Sequence, residues 1–221
     1  MKKLSLILVV LFLSFGLTVA QDNTSDVSTN GNNNVALVAQ DGNLNDASID
    51  QITDQSTGII LQSGTGNVAD MDQKGGWPAG SFSEGESGMI MQMGADNSAT
   101  LWQLADEGTG SNQGNQFQNG DRNLAVAWQY TINAQVDQDQ VGDDNEARSY
   151  QTGVDGYVKQ YQLGMENIAS VDEQAGGYGA GNSAIQHQEG NWNKSLISQY
   201  GTGGAKTAEG NVAEVYQYGS D

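Results

Sequence analysis

The 221-residue sequence predicts an all-β fold, a β-solenoid of stacked strand-turn-strand arches that form two parallel sheets. Three observations predict it. A skeleton Gln-x-Gly-x-x-Asn-x-Ala-x-x-x-Gln recurs down the chain, a constant set of residues alternates with a variable set on either side of its glycine, and the base period is 22 residues. Fixed self-similarity of this kind marks a repeat architecture, in which one unit cannot bury its own inner face and must stack on its neighbours.

The copies are Gln40-Gly42-Asn45-Ala47-Gln51, Gln62-Gly64-Asn67-Ala69-Gln73, Gln92-Gly94-Asn97-Ala99-Gln103, Gln118-Gly120-Asn123-Ala125-Gln129 and Gln140-Gly142-Asn145-Ala147-Gln151. Gln162-Gly164-Asn167-Ala169 ends on Glu173, and Gln188-Gly190-Asn193-Ser195-Gln199 replaces the alanine with serine. A half copy, Asn211-Ala213-Gln217, closes the series. Its key asparagines are separated by steps of 22, 30, 26, 22, 22, 26 and 18, which read as a period of 22 with three insertions and one deletion.

Taken in order, residues 1–20 have a charged start at Lys2 and Lys3, an apolar run from Leu4 to Leu17 and a small-residue end, Thr18-Val19-Ala20. That pattern predicts a secretory signal peptide cleaved after Ala20. The apolar run is shorter than the roughly 20 residues a spanning helix needs, so no membrane anchor is expected. Residues 21–33 are polar, lack aliphatic periodicity and read as a flexible arm. The solenoid is expected over 34–217, with a short tail at 218–221.

Each unit holds two seven-residue runs joined by four residues, as in Asn34 to Gln40 and Asn45 to Gln51. Alternation places every second side chain on one face of a strand. The inner set is then Asn34, Ala36, Val38, Gln40 and Asn45, Ala47, Ile49, Gln51, while the outer set varies freely. The short connection needs a positive φ or a close backbone approach, the reason for Gly42, Gly64, Gly94, Gly120, Gly142, Gly164 and Gly190. The asparagine that follows tolerates left-handed conformations and is expected to finish the turn.

Stacking identical units sets Gln on Gln and Asn on Asn. An amide carries donors and an acceptor, so amides about 4.7–4.8 Å apart link into continuous ladders. The insertions, 74–85, 104–111 and 175–181, all fall between arches, and read either as a binding rim or as tolerated loop length. Near the end, Lys206 stands in place of a glutamine and Ala208 in place of a turn glycine, so the last rung is expected to be degraded.

Removing the signal peptide takes away two lysines and no acids, leaving 6 basic against 27 acidic residues and a net charge of −21. Nucleic acid is not an expected partner, because phosphate binding needs clustered Lys and Arg. With no cysteine, stability must come from packing and hydrogen bonds even in an oxidising compartment. No catalytic constellation stands out: the lone histidine, His187, falls on the outer face, and pairs such as Asp143-Asp144 read as solvated turn residues. No cofactor is expected and no metal ligand set is found. Glycine-rich nonapeptide calcium spacing is absent, although surface carboxylates remain open to weak calcium screening. Outer aromatics, including Trp102, Trp128, Tyr150 and Tyr161, admit stacking on sugars as well as plain strand preference.

The spacing Ser/Asn-x5-Gln-x-Gly-x-x-Asn-x-Ala-x-x-x-Gln, with Asn34, Ser56, Asn112 and Asn182 in the leading position, strongly resembles the curlin repeat of bacterial curli fibre subunits. The resemblance covers 34–199 well and 204–217 in part, about seven and a half repeats. It implies a secreted functional amyloid, exported through an outer-membrane channel, polymerised by a surface nucleator subunit and deposited as biofilm matrix fibres. By the same resemblance, residues 21–33 correspond to an export-targeting segment. A major subunit, a nucleator and an accessory subunit all remain open, with the sparse basic residues of the last repeat leaning toward the major type. A monomeric or nucleating adhesin that binds surfaces, carbohydrate or calcium is the alternative.

Overall fold

The computed structural model describes residues 22–75, 85–105, 111–175, 181–201 and 210–220, and among these it is all-β. The strands are β1 (Thr24–Asn30), β2 (Val35–Asn43), β3 (Asp46–Ile52), β4 (Thr57–Thr65), β5 (Val68–Lys74), β6 (Ser87–Ala95), β7 (Ser98–Ala105), β8 (Gln113–Asn119), β9 (Leu124–Ile132), β10 (Gln135–Val141), β11 (Glu146–Val154), β12 (Tyr157–Leu163), β13 (Ile168–Ala175), β14 (Ser183–Asn191), β15 (Lys194–Gly201) and β16 (Val212–Ser220). Odd-numbered strands form one eight-stranded sheet and even-numbered strands the other.

Every pairing is parallel and in repeat register, so Gln40 lies beside Gln62 and Ala47 beside Ala69. The short glycine turn cannot pair the two strands it joins, so it delivers them to facing sheets. The result is a β-solenoid of about seven turns, each complete rung an even strand followed by an odd one.

The space between the sheets is filled by columns of complementary size. Ile49, Met71 and Leu101 are fully buried and face a column carrying Gly58, Gly88 and Gly114. A Cβ on Gly114 would stand 2.5 Å from Leu101 Cδ1, so the large side chain demands the glycine. In the rungs where the first column shrinks to Ala127 and Ser149, the facing column grows to Val136 and Val158.

Three expectations are corrected. The residues read as a flexible arm hold β1, which pairs with β3 from Thr24–Asp46 to Asn30–Ile52. Val27 packs on the core, and Asn23 Oδ1 accepts from Asn45 N at 2.9 Å, so this segment is the second strand of a rung below the first. At the other end, Asn211–Gln217 is not a second strand. β16 pairs with β14, aligning Ala213 with Ala184 and Gln217 with Gln188, so the apparent 18-residue deletion is a first strand with its own turn glycine, Gly219. The expected tail is largely strand, since β16 continues to Ser220. The signal peptide, most of the three insertions, Lys206 and Ala208 lie outside the described residues.

Candidate functional site: amide ladders and sheet edges

The residues singled out by the repeat meet in continuous columns. In the even sheet Gln40 Nε2 donates to Gln62 Oε1 at 2.9 Å, and the same bond passes through Gln92, Gln118, Gln140, Gln162 and Gln188 to Gln217 at 2.8–2.9 Å. Each of these amides also donates to a main-chain carbonyl of the opposite sheet, as Gln62 does to Asp46 O and Gln140 to Leu124 O. The glutamines therefore tie rung to rung and sheet to sheet in an interior where an unpaired amide would cost about 1–3 kcal/mol.

A second column runs through Gln51, Gln73, Gln103, Gln129 and Gln151 at 2.8–3.3 Å. It reaches Glu173, whose Oε2 accepts from Gln151 Nε2 at 3.2 Å. Burial pushes the Glu173 carboxyl up to about 8, against the opposing pull of the Gln151 bond. Gln199 follows in register but receives no ladder bond, donating instead to Ser183 O at 3.1 Å.

The asparagine column runs in the opposite sense. Asn67 Nδ2 donates back to Asn45 Oδ1, and Asn97, Asn123, Asn145, Asn167 and Asn193 continue it at 3.0–3.1 Å. These side chains also cap the turns, as in Asn45 Nδ2 to Gly64 O at 3.0 Å and Asn145 Nδ2 to Gly164 O at 2.9 Å. Asn23 does the same to Gly42 O at 3.0 Å and is the column's unforeseen first member. Asn211, expected in this column, lies after Asn182 instead, its N–H donating to Asn182 Oδ1 at 3.2 Å.

The turn glycines Gly42, Gly64, Gly94, Gly120, Gly142, Gly164 and Gly190 all have positive φ, between 108° and 131°. Packing constrains them further, because a Cβ on Gly42 would stand 1.9 Å from Gly64 O. The left-handed residue that completes each of the seven turns is the one before the asparagine, not the asparagine itself: Leu44, Asp96, Arg122, Asp144, Glu166 and Trp192, each with φ of 55–57°, and Gly66 with φ of 69°. None of the skeleton asparagines has a positive φ, and their side chains are engaged in the column.

A third ladder was not foreseen. Gln116, Gln138, Gln160 and Gln186 bond in sequence at 2.7–2.8 Å, in the column that Ile60 and Ile90 occupy nearer the N-terminus. Its signal was available, since each lies two residues before a skeleton glutamine.

The outer faces carry aromatic and charged rows. Trp102 and Trp128 meet edge to face at 4.8 Å, with Tyr150 at 6.5 Å from Trp128. His187 stacks on Tyr161 at 4.8 Å. Arg122 pairs with Asp144 at 2.7 Å, and Lys74 with Asp72 at 2.8 Å. Among the described residues no group of three or more His, Cys, Asp or Glu is placed to hold a metal ion.

The described solenoid ends on open edges: β1 and β2 at one end, β15 and β16 at the other. No protein-family model matches the chain, and no curated protein matches it.

Proposed function

We propose that the chain is a secreted structural subunit that assembles end to end into extracellular, curli-like amyloid fibres of a biofilm matrix and serves adhesion. The observation that carries this reading is the glutamine ladder from Gln40 to Gln217, which runs unbroken to an open sheet edge at either end. An uncovered strand edge is a row of unpaired N–H and C=O groups that templates another strand. Amide ladders of identical side chains are the interactions that hold cross-β stacks together.

The repeat's resemblance to curlins supports the same reading and supplies the partners: other copies of this chain, a nucleator subunit and an outer-membrane secretion channel. The apolar, charge-led residues 1–20 fit secretion, and the scattered basic residues fit no nucleic-acid role. The ladder side chains are spent on one another, which fits a non-catalytic, cofactor-free scaffold.

Fibre diffraction from the mature chain after quiescent incubation tests the proposal. A meridional reflection near 4.7 Å is expected from strands stacked along the fibre. A solution that stays monomeric, with constant light scattering, sinks it and leaves the adhesin reading. That second reading has its own support in the Trp102, Trp128 and Tyr150 row, a surface suited to stacking on sugar rings.

A further inference from the structure

The two sheets are offset by half a rung. β1 ends the odd sheet half a rung beyond β2 at one end, and β16 ends the even sheet half a rung beyond β15 at the other. Among the described residues, β16 therefore meets the odd sheet only through β15 and β1 meets the even sheet only through β2, whereas an inner strand packs between two, as Gly88 of β6 lies against both Met71 and Leu101. We propose that successive molecules share a rung, in which β16 of one molecule and β1 of the next face each other as the two halves of a single arch. The proposal rests on the fibre reading above and adds the geometry of its joint.

Continuing the observed register by one step sets Ile197 beside Val27 in the odd sheet, and Val215 beside Val38 and Gln217 beside Gln40 in the even sheet. The apolar residues that pack on the core yet stay only partly buried are Val27, Ala36, Val38, Ala213 and Val215. All five lie on the end strands, and the shared rung covers them.

Hydrogen bonding points to the same occupant. Every earlier glutamine of the even-sheet ladder donates both to a carbonyl across the core and to the next glutamine. Gln217 Nε2 makes only the first of these bonds, to Lys194 O at 2.9 Å. Among the described residues no donor reaches Gln40 Oε1, the acceptor that one further step would bring to it.

The glycine column is complementary as well. A Cβ added to any turn glycine from Gly42 to Gly190 would meet the next glycine's carbonyl oxygen at 1.7–2.1 Å, whereas at Gly219 it would meet nothing within 4 Å. The carbonyl of Gly42 from a second copy fills that place. Charge also permits the joint, because Asp26, Asp41 and Glu214 come to stand beside Leu196, Tyr218 and Leu37 rather than beside other acids.

Register-specific crosslinking tests the joint, using a chain that has no native cysteine. The variant Ser28→Cys with Ser198→Cys is assembled under reducing conditions and then oxidised with diamide. Neighbouring parallel strands lie about 4.8 Å apart, within disulfide reach, whereas the two positions within one molecule are more than about 30 Å apart. A ladder of disulfide-linked multimers on a denaturing gel, with loss of the monomer band, is the expected result. Asp50→Cys with Ser198→Cys, which would link only if β1 were displaced and β3 met β15 directly, should stay monomeric.

Fibres in which the Asp50 pair links and the Ser28 pair does not overturn the shared rung while leaving the fibre reading intact. Leu37→Cys with Glu214→Cys reads the same joint through the even sheet, should the first variant fail to assemble. Fibres in which neither this pair nor the Ser28 pair links also overturn it. Absence of fibres from the unsubstituted chain overturns both readings together.

Discussion

Glu173 and Gln199 are register partners on adjacent rungs, and each buries an oxygen, Oε1 in both, that no donor reaches. A single proton resolves both. Protonated, Glu173 accepts from Gln151 at one oxygen and offers an O–H to Gln199 from the other, doing what glutamine does elsewhere in the column. Burial favours that neutral form by pushing the carboxyl up to about 8.

The folded-state value lies above the ordinary 4.5, so the stabilisation is complete below about pH 4.5 and is lost as pH rises through about 8. Urea unfolding across that window should show stability falling by up to about 1.4 kcal/mol per pH unit. Glu173→Gln should flatten the Glu173 contribution and raise the midpoint at neutral pH. An unchanged slope in the variant would assign the pH dependence to other groups.

The third ladder separates the cost of breaking a column from that of lacking one. Gln138→Leu takes the acceptor from Gln116 Nε2 and the donor from Gln160 Oε1. Each orphaned group should cost about 1–3 kcal/mol in unfolding free energy. Replacing Gln116, Gln138, Gln160 and Gln186 together with isoleucine leaves no unpaired ladder amide, although it takes one donor from Ser149 Oγ and from the carbonyls of Thr100, Val126, Arg148 and Ser170, and should cost less per residue than the single change.

Gly120 and Gly219 occupy one column but have different surroundings. Alanine at Gly120 would drive its Cβ to 2.1 Å from Gly142 O and should prevent folding, seen as loss of the β-sheet circular dichroism signal. Alanine at Gly219 meets open space and carries only the strain of its φ of 136°, about 1–3 kcal/mol. That variant should fold, yet seed and elongate fibres poorly in a thioflavin assay, since the next molecule's turn must pass there.

If the chain assembles as proposed after loss of residues 1–20, each subunit carries a net charge of −21, against −19 for the full chain, and subunits repel one another on approach. Moving from low ionic strength to about 0.15 M salt shortens the screening length to about 8 Å and should shorten the assembly lag. Mild acidification should act in the same direction. Lag times indifferent to salt would mean that a step other than encounter limits assembly.

The skeleton columns were legible because Gln40, Asn45, Gln51 and their equivalents keep both spacing and identity. β1 was obscured by chemistry: Asn23 is retained 22 residues before Asn45, but Ser25 replaces alanine and Thr29 replaces glutamine. At the far end Asn211, Ala213 and Gln217 fit either half of the repeat, and only Gly219 decides, because a glycine follows by two the glutamine of a first strand. The third ladder was hidden by Val38, Ile60 and Ile90, which make its column look purely apolar in the early rungs. The left-handed turn residues leave no mark in the sequence. Residues as different as Leu44, Arg122 and Trp192 fill that place because the turn imposes the backbone and leaves the side chain free.

The sense of the ladders has a kinetic meaning. Skeleton glutamines donate toward the C-terminal end and asparagines donate back toward the N-terminal end, while all strands within each sheet run the same way. A filament of such units is an arrow, with a tip that offers the Gln217 N–H groups and a tip that offers the Gln40 oxygen. An arriving monomer meets different groups at each, so the two tips should lengthen at different speeds. Single-filament imaging with two-colour pulses of labelled subunit would show one long and one short new segment on every seed.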